Sequence, residues 1–397
     1  MLRRFSVARW PYRNTVLTLC TAAFFVTMVA RLSVSPVVPA ITDAFGISKT
    51  FVGVALTGMW MAYSLAQFPS GVVADRFGER RVILVAVGGT VLATLALAAA
   101  PVFAVFVVCT VLLGVVAGFH YSVATTLLSR TYDDIGTAVG IHNGGAPAAG
   151  LVTPVAAAWV WSQYGWRPAV ALAAVVGVPV VALFAWRIRP TPARRPDQPM
   201  RERFEIGSIT ELLSRSEIAF TMAIAVAMTF VWQGTASFLP TFLVEHRDQS
   251  LTTAGTLFSA YFVVQGVVQV GVGAVSDRYG RDPAMAGCMA AASAGVAALV
   301  LVPGLPGAVA GVALLGVGMS YGAAMIPRFM DHLSTAEQGA GIGLVRTVYG
   351  IVGALGSVGV GFLADTWGWP VSFGVLVVLM ALVFAALAAN RLLSLGY

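Results

Sequence analysis

The 397 residues are 58% hydrophobic and only 10% charged, with a mean hydropathy of +0.85. A soluble domain carries about 25% charged residues, so a water-soluble protein is excluded and lipid must be the main solvent. The net charge of +7 does not point to nucleic acid either, because the basic residues sit in short segments between apolar runs, where they set orientation in a bilayer.

The chain begins MLRRFSVARW, followed by an apolar run to about Ile41. That run is too long for the core of a cleaved signal peptide. It reads as the first of twelve membrane helices, over about 14–40. The rest are expected near 51–74, 82–100, 103–128, 137–160, 169–188, 218–242, 253–275, 284–302, 305–327, 340–363 and 370–391, each close to the roughly 20 apolar residues a bilayer requires. Pro101 and Pro303-Gly304-Leu305-Pro306 divide two long runs into helical hairpins. The polar stretch containing RPTPARRPDQPMRERFEIGS reads as a linker with a short surface helix near 209–214. The expected domains are a six-helix bundle at 1–188, a linker at 189–217 and a second bundle at 218–397.

With the N-terminus in the cytoplasm, nineteen arginines fall in cytoplasmic segments against Lys49, Arg167 and Arg247 outside, a decisive positive-inside bias. Both termini are then cytoplasmic, and the expected site is the cell membrane. Trp159, Trp161, Tyr164, Trp166, Trp367 and Trp369 fall near outer edges, as interfacial aromatics do. Cys20, Cys109 and Cys288 lie apart in apolar runs without CxxC spacing and read as buried small hydrophobes. No metal site and no cofactor are expected.

Inside the spans all seventeen acidic residues are absent, and only two basic ones occur, Arg31 in the first span and Arg346 in the eleventh. Intramembrane charges usually face a bundle interior or a wet cavity. Arg31 lies 12 residues before Asp43, about 18 Å along a helix, and its side chain leans toward the core rather than the outer surface. Arg346 leans toward the cytoplasm, so snorkelling competes with a cavity position. Two guanidinium groups without a local carboxylate suit an anionic cargo that supplies the missing charge. His120 in the fourth span and His142 in the fifth are candidate proton carriers, with a structural role the alternative. Asn143, Trp232, Gln233 and Tyr321, together with Gln67, Gln265 and Gln269, are polar or aromatic candidates for the cavity wall or for contacts between helices. The stretches GIHNGGAPAAG and GALGSVGVG lie within apolar spans with no following Lys-Ser/Thr, so they read as close-packing surfaces, not phosphate loops.

The halves repeat each other. GVVADRFGERR at 71–81 recurs as GAVSDRYGRDP at 273–283, an offset of 202. At that offset Gly53 meets Gly255 and Gly114 meets Gly316, while Gly165-Trp166 meets Gly368-Trp369 at 203. Parallel six-helix repeats are what a two-bundle transporter requires.

The first copy resembles the signature loop of the major facilitator superfamily at Gly71, Asp75, Arg76, Gly78, Arg80 and Arg81. The second matches at Gly273, Asp277, Arg278 and Gly280 and departs at Asp282 and Pro283. The resemblance implies an all-α fold of twelve transmembrane helices in two pseudo-symmetric bundles, working by alternating access. It implies that these residues gate the cytoplasmic mouth, Gly71 letting two helices approach and Asp75 meeting a helix N-terminus. It also places Arg31 and Arg346 on cavity-lining helices.

The leading expectation is a secondary transporter of a small organic or inorganic anion, with protons as a possible coupling ion, membrane lipid as its surroundings and a monomer as its working unit. The alternative is drug or metabolite efflux, disfavoured for cations by the missing intramembrane carboxylate. An enzyme is poorly supported, since no HExxH cluster exists and His120 and Ser122 do not share a helix face. A sensor role is a further alternative.

Overall fold

A computed structural model describes residues 11–193, 214–334 and 338–397. The terminal Arg3, Arg4 and Arg9, the basic stretch 194–213 with most of the expected surface helix, and Glu337 lie outside the described residues. Hydrophobic runs joined by short polar turns become a nearly all-helical chain of twelve spans, with no strand among the described residues. In a bilayer core each backbone N–H and C=O must be satisfied within its own segment, so helices are the outcome.

Ten spans are long and apolar enough to cross a membrane, and the second, Lys49–Gln67 with Pro69–Phe77, makes eleven when its bent pieces count together. The fifth, Ile135–Asn143 with Gly145–Tyr164, is richer in Gly, Ala and Pro than in Leu. The first six spans pack as one bundle and the last six as another, and the strongest contacts between halves run from the second span to the eleventh and from the fifth to the eighth.

Several spans are broken at mid-length. The first divides into Tyr12–Leu32, a 3-10 turn Ser35–Val37 and Val38–Phe45, because Pro36 and Pro39 lack the N–H that would continue the ladder. The fourth divides into Phe103–Gly118 and Tyr121–Ser129. Its repeat partner, the tenth, divides into Gly304–Gly318, Met319–Tyr321 and Gly322–Asp331. The eleventh divides into Gln338–Gly353 and Leu355–Trp367. Carbonyls freed at the breaks find partners on other spans. Thr57 Oγ1 donates to the Ala354 carbonyl at 2.9 Å, and Gln265 Nε2 to that of Met319 at 2.9 Å.

The halves meet tightly at the face carrying Lys49. Lys49 Nζ lies 3.0 Å from Glu245 and 4.0 Å from Asp365. Asp365 accepts the backbone N–H of Lys49 at 3.3 Å and of Thr50 at 2.7 Å. A carboxylate of one half thus caps a helix of the other, where the helix dipole favours negative charge. Deeper in, Ser35 Oγ donates to the Ser237 carbonyl at 2.9 Å, and the Ser237 and Ser357 hydroxyls lie 2.7 Å apart. The repeat glycines make the close approach. A Cβ at Gly53 would lie 2.7 Å from the Ser357 carbonyl, and one at Gly255 would lie 2.8 Å from Ala158 Cβ and 2.9 Å from the Pro154 carbonyl.

At the opposite, arginine-rich face the described ion pairs each join helices of one half. Buried Glu79 pairs with Arg130 at 2.7 Å, and Arg328 with Asp282 at 2.8 Å. Asp282, where the second motif departs from the first, therefore does for the ninth span what Glu79 does for the third. Asn390 Nδ2 also donates to Asp282 at 2.7 Å. Asp282→Ala removes the carboxylate from the buried Arg328 and leaves it the Thr221 hydroxyl and the Tyr397 main-chain oxygen, a loss of about 3 kcal/mol, the low end for a broken buried pair. A clear drop in the melting temperature of purified protein is the expected result, with Glu substitution restoring most of it.

Two expectations need correction. Trp166 and Trp369 do not face the interface: both are buried, Trp166 against Phe45 and Phe106, and Trp369 donating to Glu245 at 3.1 Å. Each stands at the start of a helix after a positive-φ glycine, Gly165 or Gly368, which turns the ring inward. Trp159, Tyr164 and Trp367 are exposed as expected.

Candidate functional site

A cavity of about 430 Å³ lies between the bundles, walled by residues of both. Three of its polar residues stand at helix breaks. Arg31 is in the last turn before the first break, Asn143 ends the first half of the fifth span, and Tyr321 closes the 3-10 turn of the tenth. Irregular backbone at membrane depth is tolerated where it lines a cavity, and a cation in a last helical turn is favoured by the dipole.

Arg31, Asn143, Trp232, Gln233, Tyr321 and Arg346 all line this cavity, as do Gln67, Gln265 and Gln269. Arg31 is 3% exposed. Its Nε donates to the Thr27 carbonyl at 3.1 Å, and an Nη meets Met28 Sδ at 2.8 Å. Its guanidinium carbon stands 4.0 Å from the Tyr63 ring centroid and 4.9 Å from that of Trp60. Arg346 stands 4.9 Å over the ring of Tyr121, a residue of the other half. Aromatic faces attract cations through their quadrupole but carry no net charge. Among the described residues no Asp or Glu lines the cavity or pairs with either arginine.

The sequence reading missed Trp60 and Tyr63, and Tyr349 beside Arg346. Helical spacing was the available signal: Trp60, Tyr63 and Gln67 fall at i, i+3 and i+7, and Tyr349 is three residues past Arg346. Trp60 meets Trp232 edge-on at 5.4 Å across the halves.

The two histidines are not on the wall. His120 and His142 are fully buried, ring centroids 5.6 Å apart, behind Phe24, which lies 6.0 and 5.0 Å from them and does line the cavity. Helix membership alone left the facing of these residues open. None of their four ring nitrogens makes a hydrogen bond of ordinary geometry. No cluster of three or more metal-ligating side chains occurs among the described residues.

The signature residues also differ in detail from expectation. The second and eighth spans continue as helix through Phe77 and Tyr279, so Asp75, Arg76, Asp277 and Arg278 sit in a last helical turn, at the helix end. Gly78 and Gly280 make the turns at φ of 84° and 99°, where a side chain is strained. Arg80 donates to the Ala185 carbonyl, Arg281 pairs with Asp277 and Asp331, and Arg81 is exposed. Gly71 is not a contact between described helices here: a Cβ would meet no described residue within 4 Å, and at Gly273 only Ala323 among them, at 4.0 Å. The reason is that the halves meet tightly at the other face.

Twelve helices in two repeated bundles around a charged central cavity define a membrane transporter of the two-bundle class. The Major Facilitator Superfamily family model matches residues 19–254 and 222–393, and the chain belongs to that superfamily. It is 22% identical over 385 residues to a hexuronate transporter of Bacillus subtilis, covering 91% of this chain and 90% of that one. It is 24% identical over 197 residues to a probable sulfoacetate transporter of Cupriavidus necator, covering 49% of this chain and about half of that one (46%). The fold matches a bacterial homologue of the human lysosomal transporter Spinster, in an inward-facing, unoccupied conformation, with a TM-score of 0.82 at 16% identity, over 96% of this chain and 97% of that one.

Proposed function

We propose that this protein is a secondary transporter of a small anion, working by alternating access in the cell membrane. One observation carries the reading: among the described residues the cavity wall holds two guanidinium groups, one from each half, and no carboxylate. A desolvated cation without a counter-ion is unfavourable, and a carboxylate, sulfonate or phosphate of the cargo answers it with a planar two-point contact. The relatives named for hexuronate and sulfoacetate agree with an anionic cargo.

The arginine-rich face is assigned to the cytoplasm by the positive-inside rule, with both termini there and domains divided as 1–188, 189–217 and 218–397. The Lys49–Glu245–Asp365 cluster then closes the outer mouth, and the cavity faces inward. In the outward-facing state the two signature segments close the cytoplasmic mouth, Gly71 and Gly273 admitting the approaching helices and Asp75, Arg76, Arg80, Arg81, Asp277 and Arg278 supplying the contacts. His120 and His142 hold the coupling proton one side chain from the cargo, across Phe24. Efflux of a neutral or anionic drug is the second reading, favoured by the soft wall of Met28, Met319 and Met325.

The test is an uptake screen of anions into proteoliposomes, with and without an inward proton gradient. Saturable uptake of an anion, accelerated by the gradient in the native protein and unresponsive to it in His142→Gln, is the expected result. Uptake that ignores the gradient from the outset removes the proton role but not the anion.

A further inference from the structure

Beyond its arginines, the cavity presents neutral amides from both halves, Gln67, Asn143, Gln233, Gln265 and Gln269. Gln265 is engaged, tying the eighth span to the break in the tenth through Met319. Gln233 is not. It is 4% exposed and on the cavity wall, its Oε1 is fully buried, and its amide head makes no hydrogen bond with any described residue. Buried amides are nearly always hydrogen-bonded, and a buried acceptor without a donor is strongly unfavourable. Trp232, in edge contact with Trp60, lines the same cavity.

We infer that Gln233 is a specificity-determining residue that binds a hydroxyl of the cargo, and that the cargo is a hydroxylated anion rather than a lipophilic one. This rests on the anion reading: the arginines take the charged end, and Gln233 reads the rest of the molecule. A hydroxyl both donates and accepts, so it pairs with whichever atom of the amide head turns to the cavity. Its C–H groups meanwhile fit the indole surfaces of Trp60 and Trp232. An aliphatic anion of the same length would leave the amide unpartnered, and sites built to bind a hydroxyl discriminate strongly against analogues that lack it.

The test compares anions matched in charge and carbon number. Binding of gluconate against hexanoate, and of galactarate against adipate, is followed through tryptophan fluorescence of the purified full chain. In the native protein the hydroxylated member of each pair is expected to bind at least about tenfold tighter. Gln233→Met, which keeps the length of the side chain, is expected to weaken the hydroxylated member to the level of its partner and leave that partner unchanged. Equal affinities within both pairs in the native protein would overturn the inference while leaving the anion reading intact. So would a preference that persists in Gln233→Met. Binding of neither pair member would count against the anion reading itself and this inference with it. Should Gln233→Met fail to fold, Gln233→Asn, which withdraws the amide by one methylene, is expected to reduce the preference without abolishing binding.

Discussion

Replacing Arg31 by alanine is expected to abolish saturable anion uptake while leaving the protein folded. Arg31 is held in place by a backbone carbonyl, a thioether and two ring faces, none of which neutralises it. On the proposed reading the cargo's negative group is its charge partner. Removing one member of a desolvated charge pair typically weakens binding by about 2–5 kcal/mol, which is roughly 30-fold or more in apparent affinity. Stability should move the other way or not at all, because the variant deletes a buried charge that no described carboxylate offsets. Arg31→Lys should rescue little, since an ammonium lacks both the planar fork and the stack on Tyr63. Uptake kinetics and a melting curve on each variant check this. Undiminished uptake in Arg31→Ala would remove the residue from the site.

A second large effect is expected from Gly53→Val. Its new side chain would meet the Ser357 carbonyl and Val358 Cα, at 2.7 and 2.8 Å from the Cβ alone. These are backbone atoms of the other half, which cannot swing aside as a flexible side chain can. Overpacking a tight contact is unfavourable by about 1–3 kcal/mol, and here the strain falls only on the state in which the Lys49 face is closed. The ratio of the two states should shift by about 5- to 150-fold toward opening at that face. Ser237→Cys reports it, because Ser237 is buried in the seal beside Ser35 and Ser357. Labelling of that thiol by an impermeant maleimide applied from the Lys49 face should rise in Gly53→Val, and turnover should fall about tenfold or more. Gly255→Val should act alike at the fifth–eighth contact. Unchanged labelling with normal turnover would show that this contact does not limit closure.

The span count, the repeat and the two intramembrane arginines were legible because each depends on composition along the chain. What was not legible depends on facing. In a soluble helix the apolar stripe points to the core, but lipid and bundle interior are both apolar, so periodicity does not tell one side of a span from the other. This is why His120 and His142 were assigned to the right helices but lie behind Phe24 instead of on the wall. It is also why Trp60 and Tyr63 went unnoticed until Arg31 located their face. The break in the first span was written in Ser35-Pro36 and Pro39. The breaks at His120 and Ala354 have no proline to announce them. Asp365 looked like an ordinary loop acid, yet it caps Lys49 and Thr50, more than 300 residues away, a relation that only the paired bundles create.

The most direct measurement is equilibrium binding to the native protein of one carbon skeleton in three forms, as carboxylate, amide and amine. Two arginines and no described acid on the cavity wall predict that the carboxylate binds saturably, the amide much more weakly and the amine undetectably, with rising salt eroding the difference. Comparable binding of the amide, or tighter binding of the amine, would contradict the assignment of this cavity to anions.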